Sequence, residues 1–317
     1  MADHTKTGRA RRMQCQGRAA LSGSPAADVD IDISLVRSLL NDQHPDLSHL
    51  PLQWMDTGWD NAMFRLGGEL LIRLPRRHLA ASLIENEQHW LPVIAQELPI
   101  PIPVPVRVGY PGRGYPWKWS VLPWLQGITA DRAEPRPDQA IRLAQFLRSL
   151  HVHAPNAAPR NEVRGVPLSK RADLIEARMR RLESTTHFIS SEIRYAWQLA
   201  LEAPLASEAT WLHGDLHPRN ILVENGVITG IIDWGDITAG DIATDLASIW
   251  MLFGDILSRQ KALQAYGATS EATLQRARGW AVLFGVVLLE TGLVDNPQHM
   301  AMGQKTLSRI ADDIALG

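Results

Sequence analysis

The sequence predicts an α+β protein of two lobes, a small antiparallel-sheet N-lobe over residues 28–122 and a mostly helical C-lobe over residues 128–317. Three observations carry this reading. Apolar runs at 52–55, 62–66, 70–74, 106–109 and 117–122 are short and bounded by Gly- and Pro-containing turns, the pattern of strands. From Pro137 onward apolar residues recur three to four apart, as in Leu143, Leu147 and Leu150, the period of a helix. Within that helical half, WLHGDLHPRNILVENGVITGIIDWGD (211–236) holds two apolar runs joined by Asn225-Gly226. Asn-Gly between such runs is a strong hairpin signal, because both central residues must reach positive φ.

Composition bounds the rest. The chain has 317 residues, 45% of them hydrophobic, enough for a sizeable core. A net charge of −2 argues against a broad basic face for nucleic acid. Cys15 stands alone, which excludes an internal disulfide framework and fits a reducing cytoplasm. The apolar run 281–289 is shorter than the ~20 residues needed to span a bilayer, so no membrane partner is expected. Most of the eleven tryptophans are expected in the core. Residues 1–27 read as a disordered basic tail; Arg11-Arg12 is not followed by an apolar segment, so no export signal is inferred.

In chain order, an amphipathic helix is expected over 31–40, followed by the first three strands. Arg73, in LLIRLPRR, falls in the third. A helix over 78–97 sets Leu83, Glu87, Trp90, Leu91 and Ile94 on one face, so Glu87 points inward while Glu85 and Glu97 do not. An inward acid needs a cation, and Arg73 is the natural partner, though Glu87 could instead neutralise something local. Pro99, Pro101, Pro103 and Pro105 favour an extended edge segment. Two further strands complete the N-lobe, and residues 123–127 form a hinge. Helices are expected over 138–151, 169–183, 191–203, 260–266, 271–290 and 298–316. His151 and His153, closing the first of these, read more as structural than as catalytic groups.

The hairpin carries the chemistry. Its closure sets Asn220 and Asp233 side by side with Asp215 next to them, two carboxylates and an amide oxygen suited to Mg²⁺ carrying phosphates. The order Asp, four residues, Asn, then Asp-x-Gly matches a phosphoryl-transfer template. The alternative is that Asp215 and Asp233 are turn carboxylates at the hairpin ends.

HGDLHPRN, IIDWGD and GDIATDLA together resemble the aminoglycoside phosphotransferase family, small-molecule kinases with a bilobal protein-kinase-like fold. The resemblance runs from about Leu52 to near the C-terminus. It implies an ATP- or GTP-dependent phosphotransferase acting on a small-molecule hydroxyl, an aminoglycoside or other antibiotic, or a metabolite of the choline, homoserine or sugar type. A kinase-like module that binds nucleotide without turnover is the alternative from another class. On the resemblance, Asp215 is the base and Asn220 and Asp233 hold Mg²⁺. The nucleotide meets the 56–61 loop (Thr57, Gly58 and Asn61), Arg73 with Glu87, the hinge at Leu122, Trp124 and Leu125, and the apolar Leu222 and Ile232. Arg73 stands where protein kinases place lysine, and its planar fork can grip phosphate and carboxylate together. His213 is expected to be structural and His217 auxiliary to the base. Asp241 is expected to cap a helix and, with Asp245, to brace the catalytic loop. After Asp233 no long activation segment and no Ala-Pro-Glu motif follow, which leaves no platform for a protein substrate. An aminoglycoside would need carboxylates, for which Asp236, Glu290 and Asp295 are the candidates. A monomer or homodimer is expected.

Overall fold

The computed structural model describes residues 26–58, 60–206 and 208–316. The expected basic tail, up to residue 25 and with it Cys15, lies outside the described residues.

The first helix, α1 (Ile33–Gln43), is capped by Asp32, whose Oδ1 accepts from the Leu35 N–H at 2.8 Å. Strands β1 (Leu52–Thr57), β2 (Asn61–Leu66) and β3 (Leu70–Pro75) follow, then α2 (His78–Ile94), β4 (Arg107–Gly109) and β5 (Trp119–Pro123). These five strands form the expected antiparallel sheet, and its strand order is β1-β2-β3-β5-β4. Arg73 lies on the middle strand, opposite Met63 on one side and Ser120 on the other. The sheet and α1 share a core of Val36, Leu39, Leu40, Phe64, Ile72, Trp119 and Val121. The helix expected over 78–97 ends as α-helix at Ile94 and tightens into a 3₁₀ turn over Ala95–Glu97. Pro92, which has no N–H to give the helix, sits just before that change.

The remainder is helical apart from the expected hairpin and three short strands that the sequence reading missed, one joining that hairpin and two pairing with each other. β6 (Ile128–Thr129) joins β8 (Ile221–Glu224) and β9 (Val227–Ile231) in a three-stranded sheet. β7 (Thr210–Leu212) pairs with β10 (Thr238–Gly240). The helices are α3 (Gln139–Leu150), α4 (Ala172–Thr185), α5 (Ser191–Glu202), α6 (Ala243–Leu246), α7 (Ser248–Leu252), α8 (Ile256–Tyr266), α9 (Glu271–Asp295) and α10 (Pro297–Leu316). A 3₁₀ turn, Leu168–Arg171, precedes α4, which therefore starts later than expected. Asp255 caps α8 through two backbone N–H groups, so that helix starts four residues earlier than the expected 260.

The α9 helix is the centre of the larger core, packed on by α10, α5, α6 and α4. Its apolar run is set in a helix of 25 residues, longer than expected and, by length and composition alone, long enough to cross a membrane. The most apolar stretch is 67% buried against the other helices, which is how a core helix sits. Trp119, Trp197, Trp234, Trp250 and Trp280 are fully buried, in line with a core role for the tryptophans.

Candidate active site

The hairpin closes as the Asn-Gly signal requires. Asn225 and Gly226 both have positive φ, 51° and 78°, and Glu224 and Val227 pair across the turn. At its open end the Ile232 N–H donates to the Asn220 carbonyl at 2.9 Å, so Asn220 and Asp233 emerge from adjoining backbone. Asp233 is exposed and takes a left-handed φ of 61°, uncommon for a residue other than glycine and frequent at functional sites. The Asn220 Nδ2 donates to the Asp215 carbonyl at 2.9 Å, which turns the amide oxygen the other way.

The loop that carries Asp215 is fixed from behind. Asp245 accepts from the His213 N–H at 2.7 Å and from the Gly214 N–H at 2.9 Å, one oxygen to each. Its third contact, to His151 Nε2 at 3.4 Å, continues to the Tyr266 hydroxyl through His151 Nδ1 at 2.9 Å. Asp245 thus braces the loop as expected, and His151 is structural. Asp241 accepts from the Ala243 N–H at 3.1 Å at the start of α6, and it also pairs with buried Arg276 at 2.6 Å, a partner the sequence did not indicate. Gly214 has φ 87°, and a Cβ there would meet the Asp236 carbonyl oxygen at 2.5 Å, so glycine is required at this turn. His213 is fully buried over Trp234; its Nε2 donates to the Ile232 carbonyl at 3.0 Å and its Nδ1 accepts from the Asp215 N–H at 3.2 Å. That ring ties the Asp215 loop to the end of β9.

On the sheet side, Arg73 and Glu87 form an ion pair with 6% and 1% exposure, the pairing the helical face of Glu87 predicted. Asp233 meets this pair. A Cβ on Gly235 would lie 3.7 Å from a Glu87 carboxylate oxygen and 3.8 Å from an Asp233 one. Burial pushes the Glu87 carboxyl up to about 7 against the pull of Arg73, and the Asp233 charge adds to the push. Burial acts against the Arg73 cation too, but Glu87 and Asp233 outweigh it and hold its pKa up. The two partners point opposite ways on where the proton rests. The proton therefore rests on Glu87 below about pH 7, and above it the guanidinium contact holds the pair ionised.

The third neighbour of Asp215 was not legible in the sequence. Arg164, from the loop between α3 and α4, donates through Nη2 to Asp215 Oδ1 at 2.6 Å, and its Nε lies 3.6 Å from Asp236 Oδ2. His217 Nε2 lies 3.4 Å from the other Asp215 oxygen. Burial alone would push the Asp215 carboxyl up, but Arg164, and after it His217, hold it well below the usual carboxylate range. Removing Arg164 leaves the burial and takes away the larger opposing charge. Arg164→Met should therefore raise the Asp215 pKa and move the acid limb of the kcat/KM profile to higher pH. An unmoved limb would show that Arg164 does not set the state of Asp215.

The remaining expected residues fall as follows. Gly58 and Asn61 close the β1–β2 turn through a 2.9 Å backbone bond, and Asn61 Oδ1 is buried with no partner among the described residues. Thr57 ends β1; its side chain lies outside what is described. Leu122 is buried in β5, and the Trp124 N–H already donates to the Glu69 carbonyl at 2.7 Å, so that hinge donor is taken. The Trp124 ring lies 3.7 Å beneath the Arg65 guanidinium. Leu125 and Leu222 converge on Gly230, with methyl carbons 2.9 and 3.4 Å from where a Cβ would be, and Ile232 follows on the same strand's end. Of the three acids reserved for an aminoglycoside, Glu290 is bound by both Arg178 and Arg181. Asp236 accepts from Asn161 Nδ2 at 2.7 Å beside Arg164. Asp295 is exposed in the last turn of α9.

Among the described residues no three His, Cys, Asp or Glu side chains enclose a metal by themselves. Two hard oxygen donors at the hairpin mouth, Asn220 and Asp233, fit Mg²⁺, which keeps waters and takes phosphate oxygens rather than a full protein cage.

Comparison with known proteins agrees with this architecture. The GDP complex of aminoglycoside 2'-phosphotransferase-IIIa superposes with a TM-score of 0.63 at 18% identity, over 88% of this chain and 98% of that one. A macrolide 2'-phosphotransferase from Brachybacterium faecium superposes with a TM-score of 0.58 at 20% identity, over 87% of this chain and 97% of that one. The protein YcbJ of Bacillus subtilis (strain 168) is 42% identical over 45 residues, 14% of this chain and only 15% of that protein's length. Residues 55–280 match the family described as APH, phosphotransferase enzyme family, and span the sheet, Asp215 and the hairpin. The chain belongs to this phosphotransferase family and is a small-molecule kinase.

Proposed function

We propose that the protein transfers the γ-phosphoryl group of ATP or GTP to a hydroxyl of a small molecule, in the cytoplasm, with Asp215 as base and Asn220 and Asp233 as the Mg²⁺ ligands. The observation that carries this is the meeting of Asp215, Asn220, Asp233 and the Arg73–Glu87 pair at one end of the hairpin. Solved relatives with GDP and with streptomycin and ATP support a nucleoside triphosphate donor.

Asp215 accepts the proton of the acceptor hydroxyl, or orients it, as the new O–P bond forms and the bond to the departing nucleoside diphosphate breaks. Its low pKa suits orientation more than early proton removal. Arg73, held by Glu87, aims its guanidinium at phosphate oxygens. Leu125, Leu222 and Ile232 offer the base an apolar bed, and with the Trp124 N–H engaged, the donor for its edge falls to Leu125. Bound Mg²⁺ would supply charge neutralisation between donor phosphates.

Asp233→Ala is expected to remove the Mg²⁺ dependence of nucleotide binding, and Asn220→Ala to weaken it less. Calorimetric titration of ATP and GTP with and without Mg²⁺ checks this, alongside transfer from labelled ATP to aminoglycosides, macrolides and hydroxylated metabolites. Unchanged metal-dependent affinity in the Asp233 variant would remove the metal role; no transfer to any acceptor by the wild type would favour a module that binds without turnover.

A further inference from the structure

The surroundings of Asp215 are basic in a way the proposed reaction does not require. Arg164 touches Asp215, so any hydroxyl within hydrogen-bond reach of that carboxylate also lies beside a guanidinium. Arg164 sits over the Phe284 ring of α9, 5.0 Å from its centroid. Six residues on, about 9 Å along that helix at the usual rise, Glu290 is neutralised by Arg178 and Arg181 of α4. Arg171 opens α4 two turns before Arg178. No carboxylate pairs with it among the described residues, and it is near enough to Arg164 and Arg178 for both charges to bear on it. Arg171 and Arg178 each hold a buried Nε–H with no acceptor among the described residues, and the buried Arg164 Nε–H comes no nearer than 3.6 Å to Asp236 Oδ2. Buried donors left unsatisfied are costly and call for an acceptor that arrives from outside.

Resting on the phosphotransferase reading above, we propose that the acceptor site is built for a hydroxylated small molecule that carries an oxyanion, a carboxylate or a phosphate ester, bound by Arg171 with Arg164 and Arg178. A guanidinium fork matches either group. A polycationic acceptor would meet these arginines as like charges, and two of the three acids reserved for it, Asp236 and Glu290, are already engaged. Arg164 then has two settings: on Asp215 in the free protein, and shared with the acceptor's anion when that is bound.

The test is a matched hexose series, with kanamycin as the polycation, bound by calorimetry to the full chain with Mg²⁺ and a non-hydrolysable nucleotide. Glucuronate or glucose 6-phosphate should bind at least tenfold tighter than glucose, and glucosamine no tighter than glucose; the two acids distinguish carboxylate from phosphate. Arg171→Gln should erase the acid's advantage over glucose. Arg194→Gln, which breaks an exposed pair with Glu183, should leave the preference intact. Tighter binding of kanamycin or glucosamine than of either acid, or an acid preference that survives Arg171→Gln, overturns the proposal. In a parallel assay with labelled ATP, acid binding that depends on Arg171 without transfer to that acid or to any other acceptor upholds the site and counts against the phosphotransferase reading. Transfer to kanamycin with no acid preference does the reverse.

Discussion

Asp215→Asn is expected to lower turnover by roughly 10²–10⁴-fold, the range for loss of a positioned base, while Mg²⁺-nucleotide affinity stays within a few-fold. The residue stands apart from the pair expected to hold the metal, and its backbone carbonyl, which receives the Asn220 amide, is kept in the variant. The Asp215 side chain is about a fifth exposed, and Arg164 keeps Asp236 as a second carboxylate, so the fold should survive the change. Single-turnover transfer, read beside nucleotide titration, separates the chemical step from binding. Turnover near wild type would assign the base role elsewhere.

The second large effect belongs to Arg73 and Glu87. Arg73→Ala should cost about 3–5 kcal/mol of stability, the range for removing one partner of a buried pair, because Glu87 is left buried beside Asp233 with nothing to offset its charge. It should also weaken nucleotide binding through the lost phosphate contact. Glu87→Gln should cost less, since an amide oxygen still accepts from the guanidinium. The pH dependence supplies a sign. Burial raises the Glu87 pKa from 4.5 in the unfolded chain to about 7, so the native state holds that proton longer. Its contribution to stability is present below about 4.5 and is lost as pH rises toward about 7. Glu87→Gln should flatten stability over that window. Denaturant midpoints across pH check both statements, and a variant as pH-dependent as the wild type would show that Glu87 does not titrate there.

Much of the site was legible because it is built from local pattern. Asn225-Gly226 announces its own turn, and the turn then fixes Asn220 against Asp233 whatever the rest of the chain does. Glu87 and Arg73 were pairable because a helical period says which face an acid occupies. Arg164 carries no such mark. It lies in a loop without periodicity, and its partner is 51 residues away in sequence. Glu290 shows the same limit: the sequence displays an acid, while the arginines that neutralise it come from a helix more than a hundred residues earlier. The strands β6, β7 and β10 were missed because two or three residues are too few for alternation to register.

Residues 234–237 alone separate Asp233 from β10, whose pairing with β7 leads back to the Asp215 loop. In kinases that act on proteins, a long segment at this point orders or melts to turn the enzyme on. Here the stretch is spanned so tightly that no such two-state element fits between the hairpin and its neighbour. Order–disorder control at this point therefore has no length of chain to act on.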